Sequence, residues 1–285
     1  MRANVAEYEL IAPPTLAETL RTLAQEPGVY TPIAGGTELM VALGAGRLVP
    51  RRLISLWGLT ELRFIDVADD TITFGAGTTF TDLRRHPLVN QEFGLLSQAA
   101  SWTGSIANQN RGTLGGNIVN ASPAADSPPA LLAYGAVLTL VSHTGTRSLP
   151  YAEFHLGYKK TALRMNELLH SVTVKRAFDG YKSYTRKVGA RNAQAISKVA
   201  VAALARMESG IIADIRLGAA SLRETPTRLY ATENALIGKA VSKETIASAR
   251  AALMTEARPI DDIRSTAKYR GMVACNLVEE FLHTL

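Results

Sequence analysis

The chain has 285 residues, 47% of them hydrophobic, with 31 Lys and Arg against 25 Asp and Glu for a formal net charge of +6. That is apolar material for a real core in one large or two to three modest domains, which excludes a disordered chain. A single cysteine, Cys275, excludes an internal disulfide, a cysteine-ligated zinc site and an iron–sulfur cluster held by this chain alone, and fits a reducing compartment.

The basic surplus is scattered. Only Arg51-Arg52, Arg84-Arg85, Lys159-Lys160 and Lys175-Arg176 are tight pairs, and none forms a stripe with interleaved aromatics, so nucleic-acid binding is not expected. No window approaches the ~20 apolar residues of a spanning helix, and residues 1–14 lack an apolar run of secretory length. The chain therefore reads as cytoplasmic, without a membrane span.

After Pro13-Pro14, Leu16, Leu20 and Leu23 fall on one helical face, with Thr15 and Glu18 as a capping box and Gly28 as a stop. Residues 29–33 read as a strand running into AGGTEL, and 51–56 as another, so the first sixty residues form a small β/α unit. Then come a strand over 71–77, a short helix over 78–87 and a longer helix over 91–107, before strand character resumes at 136–142 and 168–176. Residues 178–187 alternate polar and aromatic side chains. The Ala-rich run 197–208 suits helix or strand, but Ser209-Gly210 separates it from a second alternating run, 211–222, and favours a hairpin. Beyond Pro226 the periodicity is helical, with Ser242 and Asp262 as candidate caps. The expected division is 1–60, 61–176 and 177–285.

Two segments share a shape: PIAGGTEL at 32–39 and GTLGGNIVN at 112–120. Paired glycines let backbone N–H groups converge into a concave nest and admit a ligand closely, because no Cβ intrudes, and a diphosphate suits such a seat. One Gly-Gly pair alone reads as a tight turn. Two, flanked by Thr37, Thr113, Asn117 and Asn120, point to a shared ligand. GAGRLV at 44–49 and GAGTTF at 75–80 lack the third glycine of a Rossmann fingerprint, and neither pair is followed by a P-loop lysine.

PIAGGTEL and NRGTLGGNIVNASPAADSPPALLAYGA (110–136) together resemble the FAD-binding subunit of the molybdenum hydroxylases, the family of xanthine dehydrogenase and aerobic carbon monoxide dehydrogenase. SYTRKVGARNAQAISKVAVAAL (183–204) and PIDDIRSTAKYR (259–270) extend the likeness in family order over nearly the whole chain. The resemblance implies an α+β fold of the vanillyl-alcohol-oxidase (PCMH) type, two α/β subdomains holding FAD, followed by a C-terminal α/β domain like that of the CO dehydrogenase flavoprotein.

By the same resemblance, Pro32, Ile33, Ala34, Gly35, Gly36, Thr37, Glu38 and Leu39 wrap the FAD diphosphate and ribityl chain. Thr113, Gly115, Gly116 and Asn117 lie on that diphosphate, and Asn120 and Asp126 hold polar groups of the cofactor. A carboxylate is repelled by phosphate, so Asp126 is expected on a ribose hydroxyl or an ordered amide. Leu169 or His170 falls where the family has an apolar contact to the flavin ring, and Lys187 matches a lysine near it. Taken alone, Lys187 reads equally as a solvated strand residue, and His170 as a packing histidine. Arg111 braces the loop.

The implied activity is oxidoreductase electron transfer in a heteromeric molybdenum hydroxylase. Molybdopterin belongs to a large partner subunit and two [2Fe-2S] clusters to a small one, with NAD+, a quinone or oxygen as the acceptor of electrons leaving FAD. No catalytic or metal-ligating residue is expected here. Ile106 to Gln109 departs from the family's Pro-Gln-Ile-Arg, and with one cysteine the four-cysteine loop of the benzoyl-CoA reductase branch is excluded.

Other constellations are weak. Asp69-Asp70 and Asp261-Asp262 are adjacent carboxylates, which an extended strand sends to opposite faces, so turns or caps explain them better. His86, His143, His155, His170 and His283 include no pair at metal-ligand spacing. Trp57 and Trp102 are expected in the core. A stand-alone flavin-dependent oxidoreductase and a cofactor-free scaffold are the competing readings.

Overall fold

A computed structural model describes residues 5–48 and 51–285. Residues 1–4 of the N-terminal stretch, and Val49 of the 44–49 motif, lie outside the described residues.

The first sheet has three parallel strands: β1 (Glu9–Ile11), β2 (Thr31–Ile33) and β3 (Arg52–Ser55), in the order β1-β3-β2. Parallel neighbours require crossovers. The first is helix α1 (Leu16–Gln25), which buries Leu20 and Leu23 and starts at Thr15, whose hydroxyl accepts from the Glu18 N–H. The second is α2 (Leu39–Gly44), so GAGRLV is the end of a helix, with Gly46 at φ +67°, rather than a nucleotide fingerprint.

The second sheet begins with β4 (Ile65–Val67) and β5 (Thr71–Gly75), joined by a turn that contains Asp69-Asp70. A run of short helices follows: α3 (Phe80–Arg85), α4 (Pro87–Glu92), α5 (Gly94–Trp102), α6 (Ile106–Arg111), α7 (Leu114–Val119) and α8 (Ser127–Ala133). The expected single helix over 91–107 is thus three. Phe93 leaves helical geometry at ψ 47°, and Gly104 turns at φ +60° before Ser105 opens α6 with a capping box to Asn108. Strands β6 (Val137–Ser142) and β7 (Gly145–Pro150), the hairpin β8 (His155–Gly157) with β9 (Lys160–Thr161), and β10 (Leu168–Lys175) complete this part. The five-stranded order is β4-β5-β10-β6-β7.

The third sheet, β11 (Lys182–Val188), β12 (Val199–Glu208), β13 (Ile211–Ala220) and β14 (Thr227–Arg228), is antiparallel in chain order. The 197–222 hairpin forms as expected. Strand β12 does not alternate because both its faces are buried: Val199, Val201, Ala203 and Ala205 pack in the C-terminal core, and Ala202 and Leu204 pack in the core of the second sheet. Small alanines let both neighbours approach. On β13, Gly218 lies so close to α8 that a Cβ there would stand 2.0 Å from the Pro129 carbonyl oxygen.

After β14, a short strand not expected beyond Pro226, come α9 (Tyr230–Leu236), α10 (Lys243–Glu256) and α11 (Ala267–Leu282). Ser242 caps α10 by accepting from Thr245. Asp262 caps no helix. Thr266 starts α11, while the Asp262 carboxylate takes the backbone N–H groups of Arg264 and Ser265 and the buried Arg270 guanidinium. Trp57 and Trp102 are half-buried rather than core residues. Among the described residues no helix is long and apolar enough to cross a membrane.

Candidate functional site

The second glycine pair lies within the first turn of α7, and its two glycines exist for different reasons. Thr113 is the N-cap: its Oγ1 accepts from the Gly116 N–H at 3.0 Å. The Leu114 and Gly115 N–H groups donate to the carbonyls of Thr78 and Ala76, each at 2.9 Å. Gly115 is buried, and a Cβ there would meet the Ala76 Cβ at 2.5 Å and its oxygen at 2.7 Å. Gly116 is exposed, and its only near neighbour is Thr113 Oγ1, 2.9 Å from a would-be Cβ. The expected open nest of N–H groups is therefore absent at 115–116, because the fold has already used them. What α7 offers is a bare, side-chain-free face at Gly116. Beside it stands Asn117, whose Oδ1 is fixed by the Ser127 hydroxyl at 2.7 Å.

The first pair is built the opposite way. Gly35 is pressed against the chain leading into α7: a Cβ there would lie 1.7 Å from the Arg111 carbonyl oxygen and 3.1 Å from the Gly112 nitrogen. Gly36 turns the backbone at φ +76°, a conformation that favours glycine. Among the described residues, the N–H groups of Ala34, Gly35, Gly36 and Thr37 donate to no acceptor within the chain. A run of uncommitted N–H groups at a glycine turn is the arrangement that binds anionic oxygens. Pro32 and Ile33 belong to β2, which delivers the turn, and Glu38 and Leu39 open α2 after it.

The two segments meet at both ends. At one, Gly35 abuts Arg111 and Gly112. The Arg111 guanidinium is itself stacked 3.7 Å over the Trp57 ring, so it braces the loop as expected. At the other end, Lys159 Nζ donates to the Asn120 carbonyl at 2.8 Å and to Asn120 Oδ1 at 2.7 Å, and stands 4.0 Å from Glu38 Oε1.

Asp126 and Lys187 are brought together. Lys187 Nζ donates to Asp126 Oδ2 at 2.7 Å and to the Trp102 carbonyl at 3.1 Å, while the Ser197 hydroxyl donates to Asp126 Oδ1 at 2.8 Å. The Lys187 and Asp126 side chains are only 9% and 10% exposed, so Lys187 is not a solvated strand residue. Burial pushes the Asp126 carboxyl above the usual carboxylate range, against the pull of Lys187 and Ser197.

Leu169 is buried in the core of the second sheet. His170 sits at a bulge of β10 against β6. Its carbonyl accepts from the Ala76 N–H at 2.8 Å, and its ring lies 5.7 Å from that of Phe64. Burial lowers its pKa, which favours the neutral ring. The bulge is thus one residue removed from the α7 N-terminus, through the Ala76 carbonyl that accepts from Gly115.

A family model described as the FAD binding domain in molybdopterin dehydrogenase matches residues 6–175, and one described as the CO dehydrogenase flavoprotein C-terminal domain matches residues 184–285. The chain belongs to this family of FAD-binding subunits. It is 28% identical over 267 residues to the glyceraldehyde dehydrogenase medium chain of Sulfolobus acidocaldarius, covering 94% of each chain. It is 29% identical over 280 residues to the carbon monoxide dehydrogenase medium chain of Hydrogenophaga pseudoflava, covering 97% of this chain and 96% of the other. The solved structure of carbon monoxide dehydrogenase from Hydrogenophaga pseudoflava superimposes with a TM-score of 0.92, covering 96% and 95% of the two chains at 29% identity. The fold of this FAD subunit is accordingly the α+β one expected, an FAD-binding part of the vanillyl-alcohol-oxidase type followed by the CO dehydrogenase flavoprotein C-terminal part.

Two features of this FAD subunit were not read from its sequence. Ser197, within the 183–204 segment, and Lys159 join the polar network from separate parts of the chain, and no local pattern marks either as a polar contact. Hollows of ≈ 420 Å³ beside Pro13 and Arg21 and ≈ 300 Å³ beside Met254 and Lys268, both open to solvent, are lined by no residue of the two glycine segments.

Proposed function

We propose that the cleft between residues 32–39 and 112–120 seats FAD through its diphosphate, and that the chain is the electron-transfer flavoprotein of a heteromeric molybdenum hydroxylase. The observation that carries this reading is the packing of Gly35 on the Arg111–Gly112 backbone. Glycine is required at that contact, and it sets the uncommitted N–H groups of 34–37 against the segment that leads into α7.

The two segments divide the work. The N–H groups of Ala34 to Thr37 suit phosphate oxygens, while Gly116 and Asn117 supply clearance and one amide donor. His170 supplies a neutral aromatic wall at the bulge of β10, and Leu169 backs it from the core of the second sheet. Both Asp126 oxygens are engaged by Lys187 and Ser197, so its remaining lone pairs are what it offers a ribose hydroxyl or an amide. Lys187, held by Asp126 and Trp102, keeps a cation on the side of the cleft facing the third sheet.

When bound, FAD supplies the chemistry of taking electrons singly and releasing them in pairs. The partners in this reading are a large molybdopterin subunit and a small iron–sulfur subunit, the electrons leaving to NAD+, a quinone or oxygen. Relatives named as medium chains and as an FAD-subunit support a heteromeric assembly. The division 1–60, 61–176 and 177–285 is proposed on the same grounds, each part carrying one of the three principal sheets.

The test is the visible absorption of the purified full chain, alone and co-expressed with a large molybdopterin subunit and a small iron–sulfur subunit. Flavin bands, lost in Gly116→Val with the far-ultraviolet circular dichroism unchanged, are the expected result. A colourless folded chain in both preparations overturns the reading.

A further inference from the structure

We propose that Lys159 is a positioning residue for the dinucleotide seat: its ammonium ties Asn120 to Glu38 and holds the two glycine segments at the spacing a diphosphate needs. The inference rests on the FAD reading above and adds to it a residue outside both glycine segments.

Three observations carry it. The first is location. Lys159 lies in the two-residue turn between β8 and β9, far along the chain from both glycine segments, yet its Nζ donates to the Asn120 carbonyl and to Asn120 Oδ1 at 2.8 and 2.7 Å. Asn120 is the C-cap of α7, so the cation also sits at the end of the helix where the carbonyl dipoles favour it.

The second is what the third N–H faces. Glu38 Oε1 is 4.0 Å away, an ion-pair distance too long for a direct hydrogen bond. This end of the cleft is therefore joined by an adjustable charge contact, in contrast to the Gly35 end, where backbone meets backbone. Such an end can close as a ligand fills the space between.

The third is the backbone. Lys159 has φ +55°, a conformation in which lysine is disfavoured and glycine or asparagine would be easier. The hairpin keeps a long cationic side chain at a position whose geometry asks for a small residue. Its ammonium is spent on Asn120 and Glu38, one from each glycine segment.

The test compares Lys159→Met and Lys159→Arg with the parent full chain and Gly116→Val. FAD affinity is measured by flavin fluorescence quenching on chains stripped of flavin, and folding by the thermal midpoint of the same flavin-free chains. We expect Lys159→Met to weaken FAD binding about tenfold with the flavin-free midpoint unchanged, and Lys159→Arg, which keeps the donors, to recover most of it. Glu38→Gln should weaken binding less, and in the Lys159→Met background have no further effect, since the two act through one contact. Unchanged FAD affinity in Lys159→Met, or a loss matched by a fall in the flavin-free midpoint, overturns the proposal. If Gly116→Val abolishes binding in the same series, the FAD reading survives that failure. If the parent chain binds no FAD, both fall.

Discussion

Lys187 Nζ lies 2.7 Å from Asp126 Oδ2, and the two residues, 61 positions apart, join the N-cap of α8 to β11, the edge strand of the third sheet. Both are nearly buried, and Ser197 and Trp102 satisfy further positions on the pair. The same seam is closed by backbone: the Ser221 N–H donates to the Pro123 carbonyl at 2.8 Å, and the Ser221 hydroxyl donates to the Ser197 carbonyl at 2.9 Å. The loop after α7 is thereby clamped between the second and third sheets, and the cleft wall it forms is rigid on that side.

Breaking one half of this pair leaves a buried charge without its partner, which is more costly than losing both. Lys187→Met and Asp126→Asn should each destabilise the chain by ~3–5 kcal/mol, and the double variant by clearly less than the sum. Urea unfolding of the three variants measures this; strict additivity would show that the pair contributes nothing as a pair.

The four glycines of the cleft should separate into two kinds. Gly35→Ala and Gly115→Ala drive a Cβ into backbone and side-chain atoms at 1.7 and 2.5 Å, so both should reduce the yield of folded chain, with or without flavin. Gly116→Val faces open space apart from Thr113 Oγ1, so the fold should persist and flavin occupancy fall. Gly36→Ala brings a Cβ to 3.3 Å from the flexible Met40 side chain and is strained by its φ of +76°, with an expected loss of ~1–2 kcal/mol. Thermal midpoints against flavin content distinguish these outcomes.

His155 should give the chain an acid-sensitive arm. Its Nε2 is 2.9 Å from the Tyr151 hydroxyl, its Nδ1 is buried without a partner, and burial lowers its pKa from 6.5 to about 4. Below the unfolded value the unfolded chain binds a proton that the folded chain refuses, so stability is full above about pH 6.5 and falls steadily as the pH drops toward 4. His170, lowered by the same cause, adds to that slope. In His155→Gln the fall in urea midpoint between pH 7 and pH 5 should be smaller than in the parent; an equal fall would assign the arm to other groups.

Gly218→Ala should uncouple the two halves. Its Cβ would stand 2.0 Å from the Pro129 oxygen, at the contact of β13 with α8. We expect a lower thermal midpoint and a cleavage site for protease opening between residues 176 and 182, the stretch joining the second and third sheets. An unchanged midpoint would mean that this contact relaxes freely.

The parts legible in advance were those whose reasons are local. Gly35 and Gly36 announce a turn that admits no side chain, Ser242 caps α10 three residues before the N–H it satisfies, and Ser209-Gly210 divides two strands. The misread parts were those with distant reasons. Residues 91–107 have helical periodicity throughout, yet Phe93 and Gly104 break them so that three short helices can pack round the second sheet. Gly115 looks in sequence like Gly116, but the carbonyl that takes its N–H comes from Ala76.

The order of residues alone determined that two side-chain-poor segments lie in this chain, that a hairpin and helices follow them, and that it holds no internal disulfide or cysteine-ligated cluster by itself, because turn conformation, periodicity and residue type act over a few positions. Tertiary structure decided which of the glycines touch backbone and which face a ligand, that Lys159 reaches Asn120, and that Asp126 is spoken for by Lys187. Those are matters of burial and of which groups remain unpaired, and both depend on segments far apart in the chain arriving at one place.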